Sequence, residues 1–109
     1  MEKWKKQIER DILVWSPVHT EKFWMDNAHQ FKDDNLEYIN KLIAVITPGN
    51  QKRPHLAMAV ACSDLGNFAR YNPTGKAYLE NKGGKEALGM IMADKTASPE
   101  LKKEAITAY

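Results

Sequence analysis

The sequence has a single cysteine, Cys62, so no disulfide forms within the chain, and such usage suits a reducing compartment. No apolar run approaches the roughly 20 residues that a membrane-spanning helix requires, so no membrane insertion is expected. The opening stretch, MEKWKKQIERDILVW, carries charge throughout and lacks the apolar core of a secretory signal peptide. Neither sign of charge dominates: 16 basic and 14 acidic residues leave a net +2. That balance argues against nucleic acid, whose binders concentrate basic charge on one face. No segment alternates apolar and polar residues for long enough to make a strand.

What remains is an ordinary globular composition, 43% hydrophobic and 28% charged. A chain of 109 residues fits one domain, residues 1–109, by the usual prior of about 100–200. Burying about two-thirds of its unfolded surface would give it a modest core. The chain stops in LKKEAITAY, in mid-helix by pattern and without a breaker, which reads as a piece of a longer protein.

Helical periodicity runs throughout. Trp4, Ile8 and Ile12 recur every fourth residue among Lys, Glu and Arg, which predicts a leading amphipathic helix over 1–15. Ser16-Pro17 breaks it, because a proline pushes the preceding residue out of the helical region. Thr20, or alternatively Ser16, caps a second helix that lines up Trp24, Ala28 and Phe31, with Glu21 suiting its first turn. After the polar corner at 32–35, Leu36, Ile39, Ile43 and Ile46 form the stripe of a third helix.

Thr47–Pro54 is a loop without an apolar residue, and HLAMAVACSDLGNFARY is a long helix with the face Met58, Cys62, Leu65 and Ala69. Its Ala57, Ala59, Ala61, Ser63 and Gly66 would let neighbouring helices approach closely. A short helix around 77–81, a Gly83-Gly84 corner and a helix carrying Leu88, Ile91 and Met92 follow. Ser98 as cap and Pro99 in the first helical position open the last helix. The helices of the second half echo the Leu56–Arg70 helix about 45 residues earlier, near the armadillo or HEAT period. The expected fold is all-α, with six or seven helices in armadillo/HEAT-like repeats.

Candidate chemistry is sparse. Asp26, His29 and Asp33 fall at i, i+3, i+7 and could clasp a metal, but a polar outward face opposite Trp24, Ala28 and Phe31 explains them better. Cys62 and His55 are seven residues apart, about 10 Å along a helix, too far for His55 to activate a thiolate. Gly75-Lys76 and Gly83-Gly84-Lys85 match no phosphate-loop pattern and follow no strand; the glycine pair suits a left-handed corner, with Lys76, Lys82 and Lys85 in solvent. The basic leading helix could rest on a membrane surface, but docking on a neighbouring helix accounts for it better. No nucleophile, base and orienter assemble, so no catalytic residue, cofactor or metal is expected.

Two stretches stand out. WSPVHTEKFW, Trp15 to Trp24, crowds two tryptophans, a phenylalanine and a histidine around a helix break. Physically it reads as an elbow, with Trp15 and Phe23 clamping it and His19 capping backbone freed at the break. The loop residues Pro48, Gly49, Asn50, Gln51, Lys52, Arg53 and Pro54 lie between two well-patterned helices. They fit either a plain surface connection or a recognition loop on a rigid scaffold.

Trp15-Ser16-Pro17-Val18-His19, followed by Phe23-Trp24 and Asn27, resembles the C-terminal domain of the H subunit of the eukaryotic vacuolar-type proton ATPase (V-ATPase). The resemblance continues through Asp64-Leu65-Gly66, Arg70-Tyr71-Asn72-Pro73-Thr74-Gly75-Lys76 and Gly83-Gly84-Lys85, and spans Val14 to Tyr109; the last helix fits the family's ending only loosely. It implies a helical-repeat fold and a regulatory, non-catalytic domain that couples ATP hydrolysis to proton transport and silences hydrolysis when the sectors separate. It implies partners among catalytic-sector subunits, rotor and stalk subunits and the N-terminal domain of the large membrane-sector subunit, on the cytosolic face of vacuolar or other endomembranes. By position, the family's inhibitory loop corresponds to 47–55 here, while the family's N-terminal domain, which docks on a stalk, has no counterpart in this chain. The alternative, from the repeats alone, is a generic armadillo/HEAT-like adaptor that binds a peptide in a groove.

Overall fold

A computed structural model of the chain describes residues 1–32, 35–47 and 54–109. Helix α1, Glu2–Glu9, buries Trp4 and Ile8 one turn apart. It closes well before the predicted 1–15 limit, and the cause is local. Asp11 adopts φ 58°, the left-handed region, which a short polar side chain tolerates. The Asp11 amide then donates to the Ile8 carbonyl at 3.1 Å and the Ile12 amide to the Gln7 carbonyl at 2.8 Å. This pair of bonds is the Schellman ending of a helix. The turn rotates Ile12 outward to 43% exposure and sends Leu13, 5% exposed, into the core in its place.

The elbow follows. Pro17–His19 forms a single 3-10 turn, and Thr20, not Ser16, caps α2, Glu21–Asn27, by accepting from the Phe23 amide at 3.3 Å. The predicted second helix is shorter than its apolar spacing suggests. It gives way at Ala28–Gln30 to a 3-10 turn, yet Trp24, Ala28 and Phe31 are all buried. Helix α3, Leu36–Ile46, buries Ile39, Leu42, Ile43, Val45 and Ile46, with Leu36 at its margin.

Helix α4, His55–Tyr71, runs through the middle of the molecule. It packs against α2, α3, α5 (Gly75–Asn81) and α7 (Pro99–Ala108). An element covered on several sides must be apolar around most of its girth, and Ala59, Val60, Ala61, Cys62, Leu65 and Phe68 are accordingly buried. The close approach expected of its small residues occurs at Gly66, where an added Cβ would lie 2.8 Å from the Ala108 Cβ. Asn72 ends α4. Its side-chain amide donates to the Ala28 and Phe31 carbonyls at 2.7 and 3.1 Å, while its oxygen accepts from the Thr74 amide at 3.0 Å.

Gly83, at φ 81°, makes the left-handed corner into α6, Gly84–Ala93. Leu88 and Ile91 face inward as predicted, whereas Met92 points outward. Ser98 caps α7 by accepting from the Leu101 amide at 3.2 Å, with Pro99 in the first turn. The described residues therefore make seven α-helices and no strand, an all-α fold of the armadillo/HEAT-like kind. One aromatic and aliphatic core, from Trp4 to Ala105, holds it together.

Candidate functional site

The WSPVHTEKFW stretch is organised by a residue forty positions downstream of its end. Asp64, on the middle of α4, is completely buried. Its Oδ1 accepts from Trp24 Nε1 at 3.0 Å, and its Oδ2 from Trp4 Nε1 at 3.1 Å. His19 Nδ1 lies 2.6 Å from the same Oδ2. A carboxylate receiving two indole N–H groups acts as acceptor, so the His19 Nδ1 carries the proton between them. On the far side of the ring, Nε2 sits 2.9 Å from Oε1 of the Gln7 side-chain amide.

One carboxylate thus fastens α1, the 3-10 turn, α2 and α4 at a single point. The tryptophans and phenylalanines close around it. Trp4 meets Trp24 edge-on at 5.6 Å and Phe31 edge-on at 5.1 Å, and Phe23 lies nearly parallel to Trp4 at 5.9 Å. The low dielectric of this shell strengthens each bond and makes an unmatched group costly.

This overturns two details of the elbow. His19 bonds side chains, not freed backbone. Trp15 does not clamp the joint but points outward, its indole donating to Glu100 Oε1 on α7 at 2.7 Å. The His19–Asp64 pair resembles the base and orienter of a hydrolytic site, yet His19 is only 2% exposed and its outer nitrogen faces an amide rather than a nucleophile. The cluster is a joint. Asp64 was readable in principle, as the only acidic residue of α4 and set among Ala61, Cys62, Leu65 and Phe68.

The loop candidates Pro48, Gly49, Asn50, Gln51, Lys52 and Arg53 lie outside the described residues; Pro54 and both flanks lie within them. At the entry, the Thr47 hydroxyl donates to the Ile43 carbonyl at 2.7 Å. At the exit, Pro54 is exposed and its carbonyl accepts from the Met58 amide at 3.1 Å. His55 Nδ1 accepts from the Ser98 amide at 3.2 Å, pinning the start of α4 to the start of α7. Asp94 stands beside this contact. Hydrogen bonds from the Thr96 hydroxyl and amide hold its carboxyl below the ordinary carboxylate value, with lesser electrostatic help from nearby His55 and Lys102. The exit therefore opens onto a polar rim of His55, Asp94, Thr96 and Lys102.

The remaining candidates do not converge. Asp26 and His29 are both exposed, but the break of α2 at Asn27 takes them off a common helix, and Asp33 lies outside the described residues. No three potential ligands gather around a metal-sized space among the described residues. Cys62 is enclosed, and burial with the Glu104 charge pushes its thiol up to about 12. Lys85 is not merely solvated: it pairs with Glu80 at 3.9 Å and sits 4.9 Å from the Tyr109 ring centre. Lys82 lies 5.8 Å from the Tyr78 ring centre.

These features define a helical-repeat scaffold, a class that works by presenting helices and loops to partners. Residues 1–109 match the family described as the H subunit of the V-ATPase, and the chain belongs to that family. It is 34% identical over 108 residues to the probable V-type proton ATPase H subunit 1 of Caenorhabditis elegans, covering 98% of this chain and 23% of that protein. It is 31% identical over 103 residues to the V-type proton ATPase H subunit of Drosophila melanogaster, covering 94% of this chain and 21% of the relative. The protein of the same name in Dictyostelium discoideum is 36% identical over 78 residues, covering 71% of this chain and 17% of its own length. The chain thus spans less than a quarter of the length of these curated relatives.

Proposed function

We propose that this chain is the C-terminal regulatory domain of the H subunit in a vacuolar-type proton ATPase. In this reading it makes no covalent chemistry of its own. It supports the coupling of ATP hydrolysis to proton transport and restrains hydrolysis by a detached catalytic sector. Its partners are catalytic-sector, rotor and stalk subunits and the N-terminal domain of the large membrane-sector subunit, on the cytosolic face of the membrane. The observation that carries the reading is the family match along residues 1–109. Among the described residues no helix is long and apolar enough to cross a membrane, in keeping with a peripheral subunit.

The partner-facing element in this proposal is the 48–54 loop, with Lys52 and Arg53 as its charges. Two features support it. The helices on either side are anchored in the core, and the exit is tied at Pro54–His55 to α7. A short basic loop on such a base engages acidic surface by steering and peripheral contacts more than by buried area. The test is the double variant Lys52→Glu/Arg53→Glu, assayed for inhibition of ATP hydrolysis by the free catalytic sector. Helical circular dichroism should be unchanged while inhibition weakens; unchanged inhibition would sink the loop assignment.

A further inference from the structure

Helix α1 buries Trp4 and Ile8 against the core, and its opposite side is free of that packing. On that side Lys3, Lys6 and Arg10, spaced three and four residues apart, form a row along the helix. With Gln7 and Ile12 they line a groove of about 370 Å³, and no carboxylate is among its described lining residues. Ile12 stands there because the left-handed Asp11 folds the chain back over the helix end. The chain continues from it into Val14 and Trp15, 46% and 42% exposed. Trp15 is not a loose side chain: its bond to Glu100 fixes the indole while leaving much of its ring in solvent. Arginine and tryptophan are the residue types most enriched among the anchors of protein interfaces.

We propose that this surface docks an acidic amphipathic helix of a partner protein. Carboxylates spaced three or four residues apart on that helix face Lys3, Lys6 and Arg10, and its apolar side chains cover Ile12 and Trp15. The charge row selects the partner's sign. The apolar edge gives it something to bury and fixes its register along α1.

Other occupants fit less well. Interfacial helices enter a membrane by their apolar face, and that face of α1 is already used by Trp4 and Ile8 in the core. Lipid-binding segments also tend to cluster about 4–8 basic residues, more than line this groove. A second copy of the chain would set cations against cations.

The test titrates isotope-labelled chain with a synthetic amphipathic peptide bearing glutamates at helical spacing beside a leucine stripe. Its lysine-for-glutamate counterpart serves as control. The glutamate peptide should move the amide resonances of residues 3–15 and the Trp15 indole signal, with binding that weakens as salt rises. The variant Lys3→Glu/Lys6→Glu/Arg10→Glu should bind it at least about tenfold more weakly and should instead bind the lysine peptide. Ile12→Ala and Trp15→Ala should also weaken binding with helical content retained. The proposal fails if the glutamate peptide does not bind or moves resonances elsewhere, or if charge reversal changes nothing. It fails equally if the row instead binds mixed phosphatidylserine–phosphatidylcholine vesicles or mediates a concentration-dependent dimer.

Discussion

His19 and Asp64 meet at 2.6 Å inside the protein, both sealed from solvent, although 45 residues separate them in sequence. That contact, with the two indoles on the same carboxylate, decides how the first third of the chain sits on α4. Replacing Asp64 by alanine leaves His19, Trp4 and Trp24 without their acceptor in a dry site. Losing one partner of such a buried set costs about 3–5 kcal/mol. Asp64→Asn keeps the shape but turns an amide N–H₂ toward one of the donors, and about 1.5–3 kcal/mol is expected. Urea unfolding measures both. Tryptophan fluorescence should show the indoles loosened; a change within about 0.5 kcal/mol would mean that the carboxylate does not organise the joint.

The joint also marks how much of this protein could be read from its sequence. Apolar spacing found α3, α6 and α7 because their faces obey a single helical period, and Ser98-Pro99 marked a start whose cap bond is present. Helix α4 was found too, but it is buried well beyond the expected face, whose Met58 and Ala69 are only partly covered. The same spacing overran α1, because Ile12 and Leu13 are equally apolar and only the left-handed Asp11 decides which one enters the core. The WSPVHTEKFW cluster was legible as a break. Its organiser left only a weak trace, an aspartate set among the apolar residues of α4, and the partners it gathers are distant in sequence. Of the loop, only the position between α3 and α4 could be read, since a short polar segment carries no periodic pattern.

Gly66 gives a second test, of packing rather than polarity. Alanine is the better helix former by about 0.8–1.0 kcal/mol, so Gly66→Ala would stabilise an isolated α4. Here its Cβ would come within 2.8 Å of the Ala108 Cβ and 2.9 Å of the Ala108 Cα. Overpacking of that kind costs about 1–3 kcal/mol, and a net loss is expected, with α7 displaced from α4. Adding Ala108→Gly should recover only part of the loss, because the α7 backbone still stands in the way. Thermal melts of the two single variants and the double variant would settle it; a stabilised Gly66→Ala would refute the close approach.

Glu21 supplies an acid-side prediction. A hydrogen bond from the Tyr71 hydroxyl at 2.7 Å, and then the Arg70 guanidinium at 3.0 Å, hold its carboxyl below its ordinary value. A depressed carboxyl contributes stability above the ordinary value of 4.5, and that contribution is lost as pH falls through the lower folded value. Glu21→Gln should therefore lie below the parent by a roughly constant margin above the ordinary value and converge with it as pH falls through the lower folded value, flattening the acid limb of the stability profile. Tyr71→Phe and Arg70→Ala should each move the Glu21 titration, followed by carboxyl NMR, back toward 4.5.

Cys62 acts in the opposite pH range. Burial is the main cause that lifts its thiol from the ordinary 9.0 to about 12, with the Glu104 charge adding to it. At pH 8 the folded thiol is protonated and enclosed, so alkylation by iodoacetamide must wait for the chain to open. The reaction should run roughly a thousandfold or more slower than in urea, the scale of a small domain's folding equilibrium. The sign at alkaline pH follows from the direction of the shift. The unfolded thiol ionises first, so the stability tied to this group is intact below 9.0 and drains away as pH rises toward about 12. Parent and Cys62→Ala chains, compared by urea unfolding across that range, should differ in slope by up to about 1.4 kcal/mol per pH unit. The parent should fall faster, on top of a pH-independent cost of the smaller side chain. Equal alkylation rates in buffer and in urea would mean that α4 does not enclose the thiol.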